Sequence, residues 1–407
     1  MARGSLKPSM DDVVTCAWAP RTRLDGAVLG ACARVDRFVL DHFIRRRPTR
    51  PGADLRDRLA RAREFYSQPE FLARPETFFA TPSPLRVSND WIAPLPGGDL
   101  RLLRYESDFE PVFPEARGEP IEDFNRSGVA LWWRHAASGH PAILCVHGYG
   151  GGQLWMESLA FEAFRFFRAG VDVLVYVLPH HGSRTPPGAR HSGATFFDMD
   201  LVRTNEAFAR AIYELRGLLH HLRRARTGRV GAFGMSLGAY TVALLASVEP
   251  RLAFVAAMIP IVSFADRWWA EGARDPWFTT AMEHGWTLDR VRSFFGVHEP
   301  LARASLVPHE RRLVIGARGD AICTPEHADA LWRHWERPRI HWYSGGHLVQ
   351  LGRGAALAEV RRLALDVRPS ARRRHVARGG RREAVRRAAR RPIRRPVAAS
   401  PSRTSPP

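Results

Sequence analysis

Apolar runs of strand length recur through the middle of the chain, at 142–148 (AILCVHG), 171–179 (VDVLVYVLP), 229–234 (RVGAFG), 252–260 (LAFVAAMIP), 312–318 (RLVIGAR) and 339–345 (RIHWYSG). None of them alternates apolar with polar, so each reads as a strand buried on both faces. Most are separated by stretches of helical period. The first spans 154–170 and ends at Gly170, a C-cap residue. The second, 198–226, carries Leu201, Phe208, Ile212, Leu215, Leu219 and Leu222 on one face. Residues 237–247 and 325–336 complete the set. Buried strands alternating with helices predict a mostly parallel α/β sheet with helices on both faces.

Upstream, 100–107 (LRLLRYES) and 128–135 (GVALWWRH) read as two further strands. Residues 24–45 place Leu24, Val28, Ala31, Val35, Phe38, Val39 and Phe43 on one helical stripe, and a second helix is expected over 53–66. The proline-rich stretch 81–98 reads as an irregular connection. Residues 1–98 are thus expected to form an N-terminal helical extension and linker, with the α/β domain over 99–367. Between 263 and 305 the rhythm breaks into an aromatic insertion too long for an ordinary loop, expected to act as a cap.

Composition changes this picture at one end. The 407 residues carry a formal charge of +20, but fourteen arginines against the single acid Glu383 put +13 of it after residue 367. That tail, 368–407, has few apolar residues and is expected to be disordered and solvated, open to nonspecific polyanion binding. The remaining domain is only mildly basic. Lys7 is the one lysine, as in a GC-rich bacterial genome. Four cysteines without repeated spacing read as reduced thiols. The N-terminus lacks an apolar signal core, and no apolar run is long enough to span a bilayer. A cytoplasmic protein is expected.

The chemistry centres on GAFGMSLGAY, 231–240, in which Gly234 and Gly238 flank Ser236. Small flanking residues let a serine occupy a tight turn between strand and helix, and the required strand and helix are both predicted here. A hydroxyl is a poor nucleophile unless a base takes its proton and an acid orients that base. Asp320 closes RLVIGARGD after the next-to-last strand, and His347 follows the last strand in YSGGHLVQL. All three candidates thus stand at C-terminal ends of predicted parallel strands. The developing oxyanion would be held by the N–H of Leu237 and by a donor from HGYGGGQ, 147–153: Tyr149, or alternatively Gly150. In that loop, with His147 and Gly148, His147 reads as a brace.

Through HGYGG, GMSLG, GARGD and GGH, the chain resembles the α/β-hydrolase superfamily over residues 100–365. The resemblance implies an eight-stranded mostly parallel sheet and a serine nucleophile that is acylated by an ester, thioester or amide. A further stretch, LPHHGSR at 178–184, resembles an abhydrolase-18-like branch. The N-terminal extension and the arginine tail lie outside the family pattern.

The resulting expectation is a serine hydrolase that cleaves an ester or thioester of an apolar acyl group in a small molecule, with no cofactor. The same triad would also serve an acyltransferase. A different class of reading is a non-catalytic scaffold whose tail binds polyanions. His180, His181, His191, Asp198 and Asp200 invite a metal site, but their spacing fits no ligand motif and a triad needs no metal. Asp266 is the alternative acid, Cys323 is expected only to pack, and Trp268, Trp269, Trp277, Phe278, Trp286, Phe294 and Phe295 either line an acyl pocket or anchor the insertion.

Overall fold

The computed structural model describes residues 17–41, 53–197, 200–225, 227–272, 282 and 285–366. The arginine tail, Phe43, Asp198, Trp277 and Phe278 therefore lie outside the described residues.

The strands form one sheet of nine: β1 (Arg86–Leu95), β2 (Gly98–Glu106), β3 (Ser127–His135), β4 (Ala142–Val146), β5 (Asp172–Tyr176), β6 (Val230–Met235), β7 (Val255–Met258), β8 (Arg312–Ala317) and β9 (Arg339–Tyr343). Their spatial order is β1-β2-β3-β5-β4-β6-β7-β8-β9. The pairs from β5 through β9 are parallel, whereas β1, β2 and β3 join as antiparallel neighbours. The burial of alternate residues explains why the central runs do not alternate in sequence. Leu144 and Val146 of β4 face one core, and Ile143 and Cys145 face the other. Helices Leu201–Arg224 and Leu237–Val248 cover the first face, and Ala163–Arg168 and Arg353–Leu365 the second.

Two expectations about the N-terminal part need correction. The sheet has nine strands rather than eight, because Arg86–Leu95, expected as an irregular connection, pairs along its length with β2. It is an outer strand with mostly exposed side chains and a register shift between Trp91 and Ala93. An edge position needs no apolar periodicity and tolerates Pro94, so the strand left no sequence signal. The boundary expected at residue 98 consequently falls inside a hairpin. The stripe read on 24–45 also differs. Helix Arg23–Val39 buries Leu29, Cys32 and Asp36, while Leu24 and Phe38 are 76% and 56% exposed.

The helical stretch 154–170 is two helices, Leu154–Ala160 and Ala163–Arg168, broken at Glu162 with φ +52°. In the insertion, the helix Leu288–Phe295 sends Phe294 into the core against Tyr66, with ring centroids 5.4 Å apart. Phe294 and Phe295 thus anchor the segment. Trp286 meets Phe294 in a tilted ring contact at 6.2 Å, and Trp269 packs, half-buried, on the same core.

Helix Leu201–Arg224 is buried on nearly every side, polar residues included. Glu214 accepts hydrogen bonds from Tyr105 (3.1 Å) and Tyr176 (2.7 Å) and is paired by the two terminal guanidinium nitrogens of Arg184 at 2.7 and 2.9 Å. Arg184 also donates to the carbonyls of Val177 and Asn125. LPHHGSR thereby becomes a braced loop. Both His180 and His181 are buried and hold their imidazoles well below the ordinary histidine value, first through desolvation. His180 receives Thr195, and His181 donates to the Pro179 carbonyl. Asp200 caps the long helix at Val202.

Removing one partner of such a buried pair leaves the other charge uncompensated. Glu214→Leu is expected to cost about 3–5 kcal/mol in urea unfolding. By contrast, Asp99→Ala, which breaks the more exposed Arg101–Asp99 pair, is expected to cost within about 1 kcal/mol.

Candidate active site

The six parallel strands β4 to β9 end at one edge of the sheet, and four of them, β4, β6, β8 and β9, lead into the candidate site residues. β6 ends directly at Ser236, whose φ of +55° and ψ of −117° lie where non-glycine residues are strained, at a cost of about 1–3 kcal/mol. The flanking glycines make this turn feasible. A Cβ on Gly234 would stand 2.0 Å from the Gly238 carbonyl oxygen, and one on Gly238 would stand 1.9 Å from that of Val146. The helix Leu237–Val248 starts at the next residue, with Leu237 buried at its first turn.

Ser236 Oγ lies 3.0 Å from His347 Nε2, and His347 Nδ1 lies 2.8 Å from Asp320 Oδ2. The other carboxylate oxygen of Asp320 accepts the N–H groups of Ile322 (2.8 Å) and Cys323 (2.7 Å), which fixes its plane. The structure therefore brings the three sequence candidates into one hydrogen-bonded chain. Asp266 stands elsewhere, paired with Arg292 at 2.6 Å. Burial by itself depresses the His347 imidazole, but the Asp320 carboxylate, with Cys323 contributing, outweighs it and raises the group well above the ordinary 6.5. Cys323 does more than pack: its Sγ is 3.8 Å from Ser236 Oγ.

The loop after β4 runs past the serine. A Cβ on Gly148 would be 3.3 Å from the Ser236 Cβ, so the backbone leading to Tyr149 and Gly150 borders the nucleophile side. His147 is buried behind it. Its Nδ1 donates to the Gly148 carbonyl at 2.7 Å, and its Nε2 accepts from Leu178 N at 3.1 Å. Burial holds this imidazole below its ordinary value, so it stays neutral and can accept that bond. The imidazole thus ties the glycine-rich loop to the braced 178–184 loop. The Tyr149 ring is half-buried against Phe197 at 5.6 Å, and Phe197 lies 4.7 Å from Phe264 of the insertion.

One residue at this edge escaped the sequence reading. Asp36, on helix Arg23–Val39, accepts backbone N–H groups from Ala321, His347 and Leu348. The available signal was a carboxylate on a helix with an apolar stripe, three residues after Ala33 and four after Cys32. Its partners lie about three hundred residues away, so no local pattern marked them.

Among the described residues, no cluster of His, Cys, Asp and Glu is arranged to hold a metal, and no helix is long and apolar enough to cross a membrane.

No protein-family model matches the chain. Among solved structures, acetyl xylan esterase 1 from Thermoanaerobacterium sp. JW/SL YS485 superposes with a TM-score of 0.51 at 15% identity, over 76% of this chain and 99% of the esterase. An acetyl xylan esterase from Paenibacillus sp. R4 gives 0.51 at 14% identity, over 77% and 99%. At these identities the likeness shows a shared fold. In sequence, the chain is 30% identical over 334 residues to the uncharacterized protein Rv2627c of Mycobacterium tuberculosis H37Rv, covering 78% of each chain. The protein MT2702 of strain CDC 1551 matches to the same extent. With that identity sustained over more than three quarters of both chains, this protein belongs to the family of Rv2627c.

Proposed function

We propose that the protein is a serine hydrolase acting on esters or thioesters of apolar acyl groups. The observation that carries this reading is the Ser236–His347–Asp320 chain, with distances of 3.0 and 2.8 Å, mounted on a strained strand-to-helix turn. Strain of that kind persists only where surrounding structure enforces it, and here it presents the hydroxyl to the imidazole.

In this mechanism Ser236 Oγ attacks the acyl carbon while His347 Nε2 takes its proton. Asp320 holds the imidazole by its Nδ1–H and stabilises the imidazolium. The N–H groups of Leu237 and Tyr149, with Gly150 as the alternative second donor, receive the oxyanion. Nε2 returns the proton to the departing alkoxide or thiolate, leaving an acyl-serine. Water, deprotonated by the same nitrogen, then attacks the acyl carbon, the acid leaves, and Ser236 regains its proton. An alcohol or amine in place of that water would make the same site an acyltransferase. The rings of Phe197 and Phe264 beside Tyr149 favour an apolar acyl group and a capping role for the 263–305 insertion. The esterase fold neighbours support ester chemistry in general, and the LPHHGSR likeness favours the abhydrolase-18-like branch.

Labelling with a fluorophosphonate probe tests this reading. The wild type is expected to label, and Ser236→Ala to abolish labelling. His347→Ala should slow it by about a thousandfold or more. A folded wild type inert to fluorophosphonates and to small sulfonyl fluorides would remove the hydrolase reading.

The pH dependence follows from the raised His347 imidazole. A general base works when neutral, so the labelling rate should fall as pH drops through a midpoint above 6.5. In Asp320→Asn, burial remains while the carboxylate charge is gone, so the residual rate should fall at a midpoint lower than that of the wild type. Equal midpoints in the two proteins would contradict the assignment of Asp320.

A further inference from the structure

The geometry points to Asp36 as a positioning residue for the triad, and so to the N-terminal helix Arg23–Val39 as part of the catalytic unit. This inference rests on the hydrolase reading above.

Asp36 is 0% exposed. Its Oδ2 accepts the N–H of His347 at 2.8 Å and that of Ala321 at 3.1 Å, and its Oδ1 accepts the N–H of Leu348 at 3.1 Å. Ala321 follows Asp320, and Leu348 follows His347. One carboxylate therefore binds the main chain of both loops whose side chains must meet at 2.8 Å. The fit is close: a Cβ on Gly346 would stand 2.6 Å from Asp36 Oδ2.

The helix that carries Asp36 is itself tied to the acid loop. Arg318, two residues before Asp320, donates to both carboxylate oxygens of Asp25 at 2.7 and 3.1 Å and also to the Ala19 carbonyl. Asp25 is held in turn by Arg21 N at 2.7 Å and by its own N–H on the Thr22 hydroxyl. The backbone bond from that N–H group of Arg21, followed by Arg318, keeps the Asp25 carboxyl below its usual range. The helix is thus fastened at both ends to the segments flanking the acid and the base.

Burying a carboxylate is costly unless several donors satisfy it. A helix needing only to pack would present an apolar residue at this position. The bonded groups are the N–H of His347 itself and those of the residues that follow Asp320 and His347, so their loss acts on alignment. A shift of about 1 Å at a reacting group can cost about a hundredfold in rate. Asp36 hydrogen-bonds Ala321, His347 and Leu348 and not the proposed oxyanion donors Leu237 and Tyr149, so substrate binding should change little.

The test uses the full chain and compares Asp36→Ala, Asp36→Asn and Phe167→Ala, the last a core truncation on the face near His135, away from the site. Three readings are taken well below each melting temperature: kcat and KM on a p-nitrophenyl ester, the fluorophosphonate labelling rate, and the far-downfield NMR resonance of the His347 Nδ1 proton. Asp36→Ala is expected to lower kcat and labelling about 10- to 100-fold, with KM within about threefold, and to shift or broaden that resonance. Asn keeps one acceptor oxygen, so Asp36→Asn should fall between wild type and Ala. Phe167→Ala should lower the melting temperature while leaving the resonance and the rates in place.

Wild-type rates and resonance in Asp36→Ala would overturn the inference, as would losses no greater than those of Phe167→Ala. If Asp36→Ala fails to fold, Asp36→Asn against the same control decides. If wild type itself proves inert, the hydrolase reading has failed rather than the clamp. Hydrogen exchange then judges the clamp alone: faster exchange at Ala321, His347 and Leu348 in Asp36→Asn supports it, and unchanged exchange overturns it.

Discussion

The close approach of three backbone segments at Ser236 is the constraint around which the sheet edge is arranged. The chain must leave β6, reverse at a residue with positive φ and enter a helix whose first turn lies on the carbonyl of Val146 at the end of β4. No side chain fits at Gly234 or Gly238, so the helix sits against the sheet at backbone distance. This contact aims the hydroxyl upward from the middle of the sheet. It also sets where the β4 loop passes, because Gly148 borders the serine on that side.

Polar groups hold the surroundings of this turn. The long helix Leu201–Arg224 turns carboxylates into the interior, and each finds several donors. Glu214 gathers Arg184 and two tyrosine hydroxyls, and Glu206 takes Tyr66 and the N–H groups of Val112 and Phe113. These bonds give little net stability beyond what apolar packing would supply, but they are directional and select one loop arrangement. Through Arg184 the 178–184 loop is fixed, and through Leu178 N it positions His147 behind the glycine-rich loop. Further along, the Tyr240 hydroxyl meets His298 Nδ1 at 2.7 Å, and His298 Nε2 meets Asn205 at 3.0 Å. Burial keeps that imidazole neutral, pushed down to about 3, so it both donates and accepts. The helix after the serine is thereby joined to the insertion.

The N-terminal helix follows the same logic at the other side of the site. Its buried face is selected by Asp36 and by the Arg318–Asp25 pair, so apolar Leu24 and Phe38 remain largely exposed. A carboxylate finds no partner in water as well oriented as three converging N–H groups, and that choice overrides the apolar stripe.

The sequence alone determined features that depend on neighbours within a few residues or on the period of a single element. The non-alternating runs marked strands buried on both faces, except that β9, the outer strand at the far end of the sheet, is only partly buried. The glycines at 234 and 238 marked the turn, because the steric demand is local. Asp320 and His347 were legible because parallel strands end on one edge, so a polar residue just after such a strand has a known address. Only the tertiary structure decided the rest. The Arg86–Leu95 strand exists because β2 offers it an unpaired edge, which needs no pattern of its own. The docking face of the first helix, the approach of Cys323 to Ser236 and the grip of Asp36 on two loops depend on partners far along the chain. Hydrogen-bond complementarity between such distant segments is a property of the assembled backbone, and it leaves no periodicity in the chain that carries it.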